Sequence, residues 1–211
     1  DQHYFWGISL GAILGTSLMG LSPDTERSVM TVGAGIFPLM QSRSAAFAEL
    51  ELVYSGWYEE RIDREFYWSV IGQLFDQVDP IAYAPHLLDD PLPGTPAKKI
   101  MYQLSLGDEL VTNVAADIVA RTAGFEQLGP TPHEVWDMPI APDPPYDGSA
   151  LQYWDSGVPA APVGNEPPDF NWSEAAHIAI IGATSAETQM DVFLRPNGLV
   201  TNQCEGICDL D

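Results

Sequence analysis

Two hundred and eleven residues, 45% of them hydrophobic and 18% charged, suffice for one globular domain with a real core and exclude a chain disordered throughout. Thirty Asp and Glu against eight Lys and Arg give a formal charge of −22, which repels phosphate backbones and anionic headgroups and so excludes nucleic acid as the partner. No run of about 18 apolar residues is present, so no membrane span is expected.

The acidity comes from missing bases. Between Arg121 and Arg195 there is no Lys or Arg, while eleven carboxylates fall in that stretch. The opening residues DQHYFWGISL lack the basic start and cleavage pattern of a signal peptide, as expected of a mature or truncated product.

In chain order, QHYFWGI (2–8) is an aromatic and β-branched run of strand length, and LGAILGTSLMGL follows at once with helical content. RSVMTVGA (27–34) is a second buried strand closed by a glycine-rich turn. Residues 42–85 form a helical insertion of cap or lid proportions: SAAFAELELVY, then RIDREFYWSVIGQLFDQV with apolar positions at Ile62, Phe66, Ile71, Leu74 and Phe75. After the loop DPIAYAPHLLDDPLPGTP comes KKIMYQLSLGDE, whose run Ile100 to Leu106 suits a strand buried in a parallel sheet. A helix over Val111 to Ala123 ends at Gly124, a good C-terminal cap residue. Residues 129–170 hold ten of the eighteen prolines in an acidic surface excursion around one short strand, ALQYW. SAETQMDVFL, with Ser173 or Thr184 able to cap what precedes it, is the closing helix, with Met190 and Phe193 inward, and 199–211 is a cysteine-containing tail.

Cys204 and Cys208 sit four apart around Gly206. A short-loop disulfide in an oxidising compartment is expected, which points to an extracellular or cell-envelope protein. Two thiols with His177 as the nearest histidine do not make a zinc site, and C-x-x-x-C lacks the thioredoxin-type spacing. Asp143, Asp147 and Asp155 lack EF-hand order and read as a solvated acidic loop. Neither metal nor cofactor is expected. Asn171-Trp172-Ser173 is a glycosylation sequon, relevant only in a eukaryotic secretory source.

The chemistry centres on Gly7-Ile8-Ser9-Leu10-Gly11, a G-x-S-x-G pentapeptide at the strand-to-helix junction. A serine on so sharp a turn exposes its Oγ, and side chains at the two flanking glycines are expected to collide there. A serine alone is a poor nucleophile, so an acid and a histidine are required downstream in that order. Asp108 follows the apolar strand directly, where a carboxylate emerges at the carboxyl edge of a sheet; Asp117 is its rival, and a turn Asp followed by Glu109 as a helix cap is the plain alternative. His3 precedes the serine on its own strand and cannot swing round to it, and His133 lies in a proline-rich loop. His177, after the acid and before the last helix, is the expected base, with His86 as its competitor. Leu10 would supply one backbone oxyanion donor.

With these residues the chain resembles the C-terminal part of an α/β-hydrolase. More narrowly, it is similar to large secreted or lipoprotein hydrolases of myxobacteria and related bacteria, through GISLGAILGTSLMGLSPD, DPIAYAPHLLDDPLPGTP, GDELVTNVAADIVARTAG and QMDVFLRPNGLVTNQCEGICD. The resemblance covers almost the whole chain. It implies a mostly parallel sheet with flanking helices, a nucleophile at Ser9, an acid at Asp108 and a histidine at His177. Such a fold carries four or five strands before its nucleophile, whereas here the serine is the ninth residue. The loop that supplies the second oxyanion donor is therefore absent, and the expected companion is the N-terminal half of the same domain, pairing its third strand along residues 2–8. Two classes of function stay open: a serine hydrolase acting on carboxylic esters, and a non-catalytic binding or structural module on the same fold.

Overall fold

The computed structural model describes residues 2–169, 171 and 175–210. Strand β1 (His3–Ile8) turns into helix α1 (Leu10–Leu21), which returns the chain to β2 (Thr25–Thr31). Then come α2 (Phe37–Arg43), a 3-10 turn at Ala45–Phe47, α3 (Ala48–Trp57), α4 (Arg61–Gly72) and α5 (Pro80–Tyr83) before β3 (Lys99–Ser105). Helix α6 (Asn113–Ala123), β4 (Glu126–Gln127) and β5 (Ala150–Asp155) follow, and α7 (Ala176–Ala179), α8 (Thr184–Phe193) and β6 (Cys208–Asp209) close the chain.

The strands form one parallel sheet in the order β1-β2-β3-β5, with β4 and β6 both pairing along the far side of β5. This is the α/β architecture expected from strands that alternate with helices. On one face Met30, Tyr102 and Leu151 stand in register and pack with Ala12, Ala116 and Val119 of α1 and α6. On the other face Val29, Met101 and Ala150 meet Phe193 of α8 and Val200. With both faces covered, β3 reads as an apolar run with a buried exception, Gln103.

That exception belongs to a hydrogen-bonded row across the sheet. Trp6 Nε1 donates to Thr31 Oγ1 at 3.1 Å, Thr31 Oγ1 donates to Gln103 Oε1 at 3.0 Å, and Gln103 Nε2 donates to Gln189 Oε1 of α8 at 3.0 Å. Gln189 Nε2 donates in turn to Gln152 Oε1, whose Nε2 reaches Asn202 Oδ1 at 3.2 Å. Burying these amides is tolerated because each finds a partner.

Gly124 adopts φ 81° and closes α6 with its N–H on the carbonyls of Ala120 and Arg121. Asp79 anchors the helical insertion: its two carboxylate oxygens accept the N–H groups of Ile36 and Phe37, each at 2.7 Å, at the start of α2. Within the insertion, Tyr54, Tyr58, Tyr67 and Trp68 form an aromatic cluster that joins α3 to α4. Cys204 and Cys208 are disulfide-bonded, and Asp147 accepts two hydrogen bonds from Lys99.

Several sequence expectations need adjustment. The amphipathic stretch 61–78 is helical only to Gly72, and its apolar positions Ile62, Phe66 and Leu74 face solvent at 70–77% exposure. Its packed face is made by Trp68 and by Gly72, where a Cβ would lie 2.2 Å from the Pro38 ring. The closing helix starts after Ala183 with no side-chain cap. The sequon at 171–173 and the Ser173 cap lie outside the described residues.

Candidate active site

Ser9 stands at the junction of β1 and α1 with φ 53° and ψ −123°, a region that residues other than glycine avoid. The turn is pinned from both sides. The Ser9 N–H donates to the Thr31 carbonyl at 3.0 Å, and the Ser9 carbonyl accepts the N–H groups of Ala12 and Ile13 at 2.8 and 3.0 Å. A Cβ on Gly7 would lie 2.4 Å from the Gly11 carbonyl oxygen and 2.8 Å from the Ala12 nitrogen, so glycine is required there. Gly11 differs from the expectation of a collision at both glycines: a Cβ there meets nothing within 4 Å, because Gly11 contributes to the tight turn through its backbone. Leu10, the first residue of α1, is 58% exposed, and the N–H groups of that first turn have no helical acceptor of their own.

Asp108 follows β3, and α7 brings His177 to it. Because β1 and β3 run parallel, Ser9 and Asp108 both leave the carboxyl edge of the sheet. His177 Nδ1 lies 2.8 Å from Asp108 Oδ2 and 3.0 Å from Oδ1, with both side chains buried. Asp108 Oδ1 also accepts the backbone N–H groups of Leu110 and Val111 at 2.9 and 2.8 Å, which fixes the carboxylate before the imidazole arrives. A carboxylate can only accept, so the proton of the neutral imidazole sits on Nδ1 and Nε2 is left as the basic nitrogen. Among the described residues no hydrogen bond joins Ser9 Oγ to His177.

The other candidates are engaged elsewhere. His86 Nδ1 donates to the Asp90 carbonyl at 2.7 Å. Asp117 is held by His133 Nε2 at 2.9 Å and by the Tyr153 hydroxyl at 2.6 Å. That hydrogen bond to Asp117 is the main reason His133 holds its proton more strongly than a free histidine, against the opposing effect of burial. His3 lies on β1 and is exposed. Glu109, a cap residue in one reading of the sequence, is buried instead beside Asp108; an acid next to an acid in a turn carries no signal that would have shown this.

A pocket of about 380 Å³ opens behind this loop, lined by Gly107, Glu109, Val158, Pro159 and Asp169. A second, of about 330 Å³, lies in the helical insertion against Phe47, Ala48 and Leu52.

No protein-family model matches the chain. No curated protein matches it either. Among solved structures it is similar to the enol-lactonase from Burkholderia xenovorans LB400, with 16% identity and a TM-score of 0.33 over 76% of this chain. The matched region spans 58% of the length of that lactonase. The α/β architecture rests on the sheet order and register of this chain itself.

Proposed function

We propose that this chain carries the catalytic residues of a serine hydrolase acting on carboxylic esters. Ser9 Oγ attacks the acyl carbonyl, His177 Nε2 takes the proton and returns it to the leaving alcohol, and Asp108 holds the imidazole in the required tautomer. Water then repeats the sequence on the acyl-enzyme. The Leu10 N–H at the start of α1 is one donor to the oxyanion. One observation carries the reading: a buried His177–Asp108 pair lies at the same sheet edge as a serine held in a strained strand-to-helix turn.

The reading includes a companion, an upstream strand-helix unit of the same hydrolase domain. Three observations support it. Among the described residues the outer edge of β1 has no strand partner. Leu10, Leu14, Leu18 and Leu21 form one face of α1 and remain 44–58% exposed, as does Trp6 at 45%. The stretch from Gln2 to Leu21 holds no Asp, Glu, Lys or Arg in a chain otherwise rich in acids. A strand pairing along β1 would cover this face and bring a second N–H donor to the serine. The disulfide supports an oxidising, extracytoplasmic location, and among the described residues no helix is long and apolar enough to cross a membrane.

A fluorophosphonate probe with intact-mass readout tests the assignment. The expected result is one adduct, on Ser9, absent in Ser9→Ala and slowed on the order of 10⁴-fold in Asp108→Asn, where the tautomer is no longer fixed. Equal labelling of Ser9→Ala, or damage by Asp117→Asn in place of Asp108→Asn, overturns it. A stable, unlabelled assembly with the companion would favour the binding module.

A further inference from the structure

Beside the Asp108–His177 pair lies a carboxyl that the proposed chemistry does not use. Glu109 is only 4% exposed. Its Oε2 accepts the backbone N–H of His177 across 68 residues of sequence, at a long 3.4 Å. Its Oε1 is buried with no hydrogen-bond partner among the described residues. A glutamate on a surface loop would turn to water, so its retention here calls for a physical reason.

Helix α7 supplies that reason. Its first N–H groups have no partner within the helix, and its N-cap residue is Ala175, which has no side-chain oxygen to offer. The helix that carries the imidazole is thus left without a local cap, and the oxygen that meets it comes from the loop that carries the acid.

We propose that Glu109 is the positioning residue for His177, capping α7 from across the site and so fixing where the imidazole meets Asp108. The proposal rests on the catalytic reading of His177 given above. Glu109 does this as a neutral acid. Burial pushes its carboxyl up, the adjacent Asp108 adds to the push, and its own N–H together with the N–H and imidazole of His177 pull weakly the other way. Facing it are Asp108 on its own loop, His177 from α7 and Asp169 across the pocket. A neutral Glu109 leaves Asp108 as the sole anion on the imidazole, whereas ionisation at higher pH would place a second negative charge against the same ring.

The test compares Glu109→Gln, which keeps a neutral acceptor, with Glu109→Ala, which removes it. Two readouts are used on the full chain: the fluorophosphonate labelling rate of Ser9 across pH, and the ring nitrogen resonances of His177 by NMR. Glu109→Gln is expected to match the wild type within about twofold near neutral pH and to diverge as pH rises through the Glu109 titration. Glu109→Ala should lose on the order of tenfold or more in labelling, with displaced His177 ring signals, as a shift of the base by a fraction of an ångström would produce. Glu109→Gln as impaired as Glu109→Ala, or Glu109→Ala unchanged in both readouts, overturns the proposal. If Glu109→Ala does not fold, the side-chain carboxyl ¹³C resonance of Glu109 in the wild type still decides: titration near an ordinary glutamate value of about 4.3 refutes a neutral cap. The ring signals do not depend on a reactive serine. Displaced signals in Glu109→Ala with no labelling of the wild type would sink the hydrolase reading and leave the positioning role standing.

Discussion

A serine at φ 53° costs of order 1–3 kcal/mol relative to a relaxed backbone, and such strain persists only where its surroundings over-determine it. Gly7 is one of those surroundings. Gly7→Ala drives a methyl group into the backbone at Gly11 and Ala12, which neither atom can yield to without opening the turn; a loss of about 1–3 kcal/mol in denaturant unfolding is expected. Gly11→Ala, with open space at its Cβ and a helical position, should instead be neutral or stabilising by roughly 0.5 kcal/mol. Equal damage from both would mean that the turn is not built as described.

A second residue-scale test concerns His133. Its proton is held chiefly by Asp117, so the group is charged more readily in the folded protein than in the unfolded one. The stabilisation it gives is therefore complete below the unfolded value of about 6.5 and is lost as pH rises through the higher folded value. Melting temperatures of wild type and His133→Gln are expected to differ most near pH 5.5 and to converge above about pH 8; a constant gap would contradict the linkage. The nucleophile turn was legible in the sequence because glycine spacing reports backbone geometry directly. The placement of His177 against Asp108 was legible only through the order of the elements, and the grip of Glu109 on α7 was not legible at all, since it joins residues 68 apart.

At the scale of elements, β1, α1, β3, α6 and α8 announce themselves by period and by caps, and they occur within a few residues of where those signals fall. β4 and β6 have two residues each, too few for any period, and exist because β5 offers them an edge. Helix α4 shows what period leaves undecided: an apolar stripe marks a helix but does not say which side is covered, and here Ile62 and Phe66 are left in water while Trp68 is buried. Helix α1 raises the same question with a different answer, because its leucines flank an open strand. An uncovered edge of that kind associates with copies of itself when its proper partner is missing. The chain on its own is expected to show concentration-dependent association by light scattering. Leu14→Lys combined with Leu18→Lys should return it to a monomer with a melting temperature changed by no more than about 3 °C, since both side chains are already half in water. Persistent association in that variant would move the interface elsewhere.

For the whole molecule the eight cations act as struts. Arg27 donates to the carbonyls of Phe193 and Gly198, and Lys98 to those of Ser22 and Thr25. Arg43 and Arg61 tie the helical insertion to the proline-rich segment at Pro162, Val163 and Asn165. Arg64, Lys99, Arg121 and Arg195 each hold an acid. Tying the few bases into the structure leaves the excess of carboxylates to set the long-range field, so the acidity is a property of the surface rather than of the core.

The amide row from Trp6 to Asn202 bears on how such a sheet is assembled. Parallel strands meet only after long stretches of chain have closed, and a strand displaced by one residue turns its core side chains outward. In this sheet the displaced arrangement would also leave Gln103, Gln152 and Gln189 buried without acceptors, at about 1–3 kcal/mol for each orphaned group. Wrong pairings are thereby short-lived and the native register is the one that traps the chain, so the polar row acts as a kinetic sorting device for the strands that later support Ser9 and Asp108.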